Sequence, residues 1–323
     1  MNNIVHIQHR RGTAEALETV NEVLLAGEIG IEIDTGKFKI GDGEKAWNAL
    51  DYAGGGGNIT DSTNDILNYH NSGAHNALYR GKNLGSALTE AQTTAINAGT
   101  FENLYPGDYW EFSDVPYTYI DENNATQSST YSGTMRVADL DYYLLTGDQG
   151  DGLETHHIVV VPDTGMFSAS MNATYTTEGG YVGSKMRTVY LRRAEAIFKA
   201  CFGESHVLKH REYLVNAVAN GRASGGAWCD SVVELLDERM AYGAPILDSA
   251  STDGGNTIPN RYSVSCKQLN LFRHRPDLIS NRQWYWLRNV VSGAYFAGVG
   301  GLGGCDYADA SHSGGVRPAS LIC

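Results

Sequence analysis

Apolar and polar residues alternate most regularly between Ile29 and Ile40. Ile29, Ile31 and Ile33 alternate with Gly30, Glu32 and Asp34, the period of two expected of a strand with one buried face. Asp34-Thr35-Gly36 is a hairpin turn signal, and Phe38 and Ile40 resume the alternation beyond it. Gly41-Asp42-Gly43 then turns the chain toward Trp47 and Leu50. Two strands of this length cannot bury an apolar face alone, so the unit is expected to pair with copies of itself.

Further along, spacings of three and four predict two helices, "KMRTVYLRRAEAIFKACFG" and "KHREYLVNAVANG", each stopping at a glycine. A shorter helix-like stretch surrounds "ALTEAQTTAINAG". "HHIVVVPD" is of strand length, and no apolar run is long enough for a membrane span. "AGGGGNITDSTND" reads as a boundary between domains. The expected organisation is a small β domain over residues 1–52, a linker and neck over 53–104, and a mixed α+β domain over 105–323.

Composition narrows the classes. The 323 residues carry a formal net charge of -13, which argues against a nucleic-acid backbone as the main partner. The N-terminus lacks the apolar core of a signal peptide, so the chain is expected to be made in a cytoplasm. The five cysteines are scattered without a CxxC pair and are expected to be free thiols.

No GxSxG, HExxH, P-loop or dinucleotide motif occurs, so no catalytic residue and no cofactor is assigned. Adjacent strand residues point to opposite faces, so His156 and His157 are expected to serve hydrogen bonding and not one metal ion. "DSASTDGGN" from Asp248 to Asn256 lacks the closing glutamate of an EF-hand, and no metal is assigned there either.

The segment from Trp286 to Ser320 has eight glycines in thirty-five residues and still carries Trp286, Tyr295, Phe296 and Tyr307. Val290, Ser292, Ala294 and Phe296 alternate with Val291, Gly293 and Tyr295; the phase then shifts, with Val299 inward and Gly298 and Gly300 outward. The outward set shares no common chemistry. All of its residue types arise by changing only the adenines of an AAC or AGC codon, while alternate positions keep a scaffold. Trp284 and Trp286 are expected in the core, and Arg288 and Arg317 as buried hydrogen-bond donors.

Two resemblances follow from these residues. Arg11-Gly12-Thr13, Gly27-Glu28, Gly30, Asp34, Lys39, Gly41-Asp42-Gly43 and Trp47 resemble the N-terminal domain of phage tail-fibre and tropism-determinant proteins. That implies a β-prism-like, trimeric unit attached to a phage tail or baseplate protein. The bracket from Trp286-Leu287-Arg288 to Gly315-Val316-Arg317-Pro318-Ala319 is similar to that of proteins diversified by a retroelement, whose variable region lies in a C-type-lectin-like domain. The resemblance implies variable positions at Val291, Gly293, Tyr295, Gly298, Gly300, Gly301, Leu302, Gly304, Cys305, Asp306, Ala308, Asp309, His312 and Gly314, within about 286–320.

Together they imply a non-enzymatic homotrimer at the tip of a virion tail fibre. It would bind a bacterial surface receptor, protein or glycan, without entering a membrane or binding nucleic acid. Side chains at 291, 293, 295, 302, 304, 309 and 312 are expected on one surface, with Tyr295, Leu302 and His312 as the leading contacts. The alternatives are a tail-associated glycan depolymerase, a formylglycine-generating type of enzyme, and an undiversified lectin-like adhesin.

Overall fold

In the computed structural model, which describes residues 9–53, 72–150, 152–249, 267–280 and 282–323, Thr13 begins the first helix. Its hydroxyl accepts from the Ala16 N–H and caps Ala14–Val20 (α1), which ends on Asn21 in the left-handed conformation. Arg10–Gly12 (β1) pairs in parallel with Ile29–Glu32 (β2), and β2 pairs antiparallel with Phe38–Ile40 (β3). Leu24, Trp47 and Leu50 form a small core with Leu17 packed against it.

The inward side of β2 is the Gly30 and Glu32 side. A Cβ on Gly30 would lie 2.4 Å from the Trp47 ring, so only glycine lets Trp47 cover the strand. Buried Glu32 accepts from the Tyr52 hydroxyl at 2.6 Å, and the Lys39 ammonium donates to the Trp47 carbonyl at 2.9 Å. The isoleucines therefore point away: Ile33 is 65% exposed and Ile40 46%.

This unit, Met1–Ile66, is distinct from a second, Leu67–Cys323. The second takes in residues 67–104, expected as linker and neck. Glu90–Asn97 (α2) is capped by a reciprocal Thr89–Gln92 box and buries Ala95 and Ile96 beside Phe101, Leu104 and Trp110. Of the boundary run "AGGGGNITDSTND", only Ala53 is among the described residues.

Two five-stranded sheets build the second unit, which is mixed α+β with more sheet than helix. Tyr109–Ile120 (β4), Thr126–Leu140 (β5) and Ile158–Pro162 (β6) belong to one sheet; Phe167–Ala169 (β7) lies at an edge of the other. All five residues of β6 are buried, as its apolar run requires. The predicted helix forms as Leu191–Phe202 (α3), after a wider turn at Met186–Tyr190, and stops at Gly203. It buries Leu191, Ala194, Ile197, Phe198, Cys201 and Phe202, and the Phe202 ring meets Trp110 edge-on at 5.3 Å.

The other predicted long helix does not form. "KHREYLVNAVANG" is instead His210–Ala219 (β8), hairpinned to Arg222–Ser231 (β9). Asn220 and Gly221, with φ of 51° and 74°, make the two-residue turn for which Asn-Gly is the strongest signal. The glycine that reads as a helix stop is half of that turn.

Val233–Leu235 (β10) lies at the edge of the first sheet and is followed by the helix Glu238–Tyr242 (α4). Asn270–His274 (α5) leads to the C-terminal strands Tyr285–Val290 (β11), Tyr295–Val299 (β12), Cys305–Asp309 (β13), Gly314–Val316 (β14) and Pro318–Ile322 (β15). The sheet orders are β10-β15-β6-β5-β4 and β13-β12-β11-β14-β7. The "GVRPA" run thus crosses from one sheet to the other, with Arg317 at the crossing.

Both arginines are buried, as expected. The Arg317 guanidinium donates to the carbonyls of Pro162, Leu278 and Ile279 and to the Tyr285 hydroxyl. Arg288 pairs with Glu212, and Asp237 lies 3.6 Å away. His156 and His157 have separate hydrogen-bonding roles. The first contacts Asp141 at 2.9 Å; the second accepts from the Tyr143 N–H at 3.1 Å, and burial lowers its pKa to about 4. In the Asp248–Asn256 stretch only Asp248 and Ser249 are described, and Asp248 accepts from the Asn289 side chain. Among the described residues no three metal-ligating side chains cluster, and no helix is long and apolar enough to cross a membrane.

Candidate binding face

Three strands, β12, β13 and the start of β14, and three turns carry the expected variable positions. Strands β12 and β13 pair antiparallel, Tyr295 opposite Asp309 and Gly298 opposite Asp306. Because β13 is the edge strand of its sheet, side chains near its ends reach solvent on both sides.

Alternation divides the candidates between the two sides of the sheet. Tyr295, Cys305 and Asp309 lie on one, together with Tyr307. Gly298, Asp306 and Ala308 lie on the other. The expectation of one continuous face is therefore corrected to two patches, because an edge strand shows its side chains alternately to both faces.

The first patch is aromatic. Tyr295 meets Tyr307 edge-on at 5.4 Å and Tyr175 edge-on at 5.2 Å. Tyr307 is 51% exposed and Tyr175 54%. Hydrogen bonding to Tyr295 comes first among the causes that raise the Tyr175 hydroxyl to about 12, so that phenol stays protonated at physiological pH. Rigid aromatic groups of this kind supply contact area at low entropic cost.

The turn at 291–294 borders this patch and is held by scaffold groups. The Thr177 hydroxyl donates to the Ser292 carbonyl and the Thr177 N–H to the Gly293 carbonyl. Val291 and Ser292 both donate to the Tyr295 carbonyl. Ser292 and Ala294 are half-buried members of the turn, not inward strand residues. Backbone bonds hold this turn whatever side chain stands at Val291 or Gly293.

The second patch is centred on Trp284, which is half-buried at the rim and not in the core. Its indole N–H donates to Asp306 at 3.0 Å, and its ring lies edge-on to Trp286 and to exposed His312. Gly298 and Gly314 lie beneath that ring and are buried. A Cβ would come within 2.2 Å of it at Gly298 and 2.4 Å at Gly314. These two positions are not open in this arrangement: a side chain at either displaces Trp284. Gly304, by contrast, has nothing within 4 Å of a Cβ.

Gly300, Gly301, Leu302 and Gly304 belong to the turn between β12 and β13, where Leu302 stands 98% exposed. Gly303, with φ of 89°, makes that turn possible. Half-buried Cys305 donates to the Glu238 carboxylate at 3.5 Å. Burial first, then Glu238, pushes its thiol up to about 12, the reverse of what a thiolate nucleophile requires. Ala308 packs against the core beside Phe296.

Three contributors escaped the sequence reading. Tyr307 is outside the expected variable set although it shares the phase of Cys305 and Asp309. Trp284 looked like core on hydrophobicity alone. Tyr175 comes from a distant turn-rich segment, and nothing in the local pattern links it to Tyr295.

Residues 7–45 match the family model described as Major tropism determinant N-terminal domain. That match supports a phage tropism-determinant-like protein associated with the virion. No curated protein matches the chain. Among solved structures the chain is similar to "full-length Streptococcal bacteriophage hyaluronidase in complex with unsaturated hyaluronan octa-saccharides". The identity is 40% over 16% of this chain, with a TM-score of 0.15. The match covers 14% of that chain and carries no argument about the fold or activity of this one.

Proposed function

We propose that the chain is a receptor-binding protein at the tip of a phage tail fibre. Its N-terminal unit attaches to a tail or baseplate protein, and its C-terminal patches contact a bacterial surface receptor. The observation that carries this reading is the exposed Tyr175–Tyr295–Tyr307 cluster, set beside open glycine turns in a chain that begins with a tropism-determinant domain. The second unit is read as a C-type-lectin-like domain, and its role as binding without catalysis. The protonated state of Cys305 supports that reading against a formylglycine-type chemistry.

The N-terminal unit is read as a β-prism-like homotrimer. Ile33 and Ile40 are exposed on a sheet whose other side is filled by Trp47, which favours burial against identical copies. Three copies would raise the avidity of weak single contacts. Light scattering on the purified chain is expected to give a trimer mass, reduced to a monomer by Ile33→Lys with Ile40→Lys. A monomer mass for the unmodified chain at micromolar concentration would count against the assignment.

Diversification is read from the mixed chemistry of the turns, whose backbone bonds do not depend on the side chains they carry. The glycines under Trp284 favour a second reading, an undiversified adhesin, at those two positions. The neighbouring DNA separates the two. An adjacent copy of the segment beside a reverse-transcriptase gene, differing only at adenines, is expected under diversification. Differences at other bases would leave the plain adhesin.

A further inference from the structure

Beside the candidate patches the second unit holds a cleft of about 420 Å³, between the tip of the β4–β5 hairpin, β7, the first turn of α3 and the C-terminal Ser311 and Ser313. Its volume is within the range of small-ligand sites. None of the assigned variable positions lines it.

Arg193 stands in this cleft in an unusual setting. Its guanidinium lies 4.8 Å from the ring centre of Phe167, 5.1 Å from Tyr119 and 5.9 Å from Tyr117. Its Nε donates to the Tyr117 hydroxyl at 2.9 Å. Among the described residues no carboxylate pairs with it. The two carboxylates at the rim are committed elsewhere. Asp121 accepts from the N–H groups of Asn123 and Ala125 and from the Gln127 amide. Glu122 is held by Lys185 and the Tyr190 hydroxyl.

In a chain of net charge -13, Arg193 is thus held by aromatic rings, and among the described residues its two terminal amino groups meet neither a counter-ion nor another acceptor. A guanidinium so placed recognises a carboxylate through two parallel hydrogen bonds. Phe167, Val189 and Ile120 give the cleft an apolar wall for the carbon face of a sugar ring. Serine hydroxyls at 168, 170, 311 and 313 line it as well, and hydroxyls both donate to and accept from sugar hydroxyls.

We propose that this cleft binds a carboxylate-bearing sugar residue, its carboxylate on Arg193 and its ring against the apolar wall. The site stands on the cleft alone and does not depend on the receptor reading of the tyrosine patch. Ser311 and Ser313 flank His312, so an acidic saccharide in the cleft would sit next to the second patch.

Titration of the full-length chain with glucuronate, N-acetylneuraminate, glucose and acetate, followed by ligand-observed NMR, tests the proposal. Binding of one or both acidic sugars is expected, with glucose and acetate much weaker. Arg193→Gln is expected to weaken binding about tenfold or more. Because Arg193 also packs between rings, Ser313→Trp serves as a second variant that fills the cleft and leaves the arginine in place; it too is expected to abolish binding. Acidic sugars binding no better than acetate, glucose binding equally well, or undiminished binding in the two variants would overturn the proposal.

Discussion

Arg317→Ala is expected to destabilise the second unit by about 4 kcal/mol, a large part of the 5–15 kcal/mol typical of a whole domain. The guanidinium is buried and makes hydrogen bonds to the carbonyls of Pro162, Leu278 and Ile279. It also lies over the rings of Phe272 and Tyr285. Truncation strands several buried acceptors at once, each costing about 1–3 kcal/mol before relaxation. Arg317 stands where the chain passes from β14 to β15, so its loss also loosens the joint between the two sheets. Arg317→Lys should recover little, since a single ammonium cannot span acceptors on three segments. Urea unfolding measures the loss; a change below about 1 kcal/mol would mean that water replaces the guanidinium at little cost.

The second large effect is on pH dependence. Asp139 is buried at the end of β5, and both the backbone N–H and the side-chain amide of Asn270 donate to it at 2.9 Å. Burial raises its pKa to about 7, against the opposing pull of those hydrogen bonds and of Lys267. A carboxyl with a raised folded-state pKa binds its proton more tightly when folded. Its contribution is therefore complete below the ordinary carboxyl range and is lost as pH rises toward 7. At about 1.4 kcal/mol per unit, the loss over that window is roughly 4 kcal/mol. Asp139→Asn removes this titration and leaves the others. The stability of the variant relative to the parent should therefore climb steadily between pH 4 and pH 7. A constant difference across that range would show that Asp139 is ionised throughout.

Much of this molecule was legible in local patterns, and the failures have physical reasons. The β2–β3 hairpin and the amphipathic α3 each show one dominant period, β6 is a short unbroken apolar run, and each formed. The β8–β9 hairpin was hidden because residues spaced three and four apart in "REYLVNAVA" also satisfy a strand when the partner strand covers them. Only Asn220-Gly221 distinguished the two, and its glycine serves as well for a helix end. The buried roles of Arg288 and Arg317 could be anticipated because a charged residue among apolar neighbours must find partners. The split of Tyr295 and Gly298 onto opposite sides of the sheet follows from unbroken alternation along β12; the expected shift of phase between them does not occur, because no bulge interrupts the strand. Trp284 shows the limit most clearly: which of the two tryptophans flanking Tyr285 caps the rim depends on Gly298 and Gly314, from the strands on either side of β11, both leaving room for its ring.

The central claim is that the C-terminal patches hold the receptor contacts. Binding of the labelled full-length chain to a panel of bacterial strains, compared with a Tyr295→Ala, Tyr307→Ala double variant of equal thermal stability, tests it most directly. The account predicts strain-selective binding by the parent chain and a loss of about 100-fold in the variant, as expected when two aromatic anchors are removed from one contact. Selective binding that survives unchanged in the double variant would contradict it.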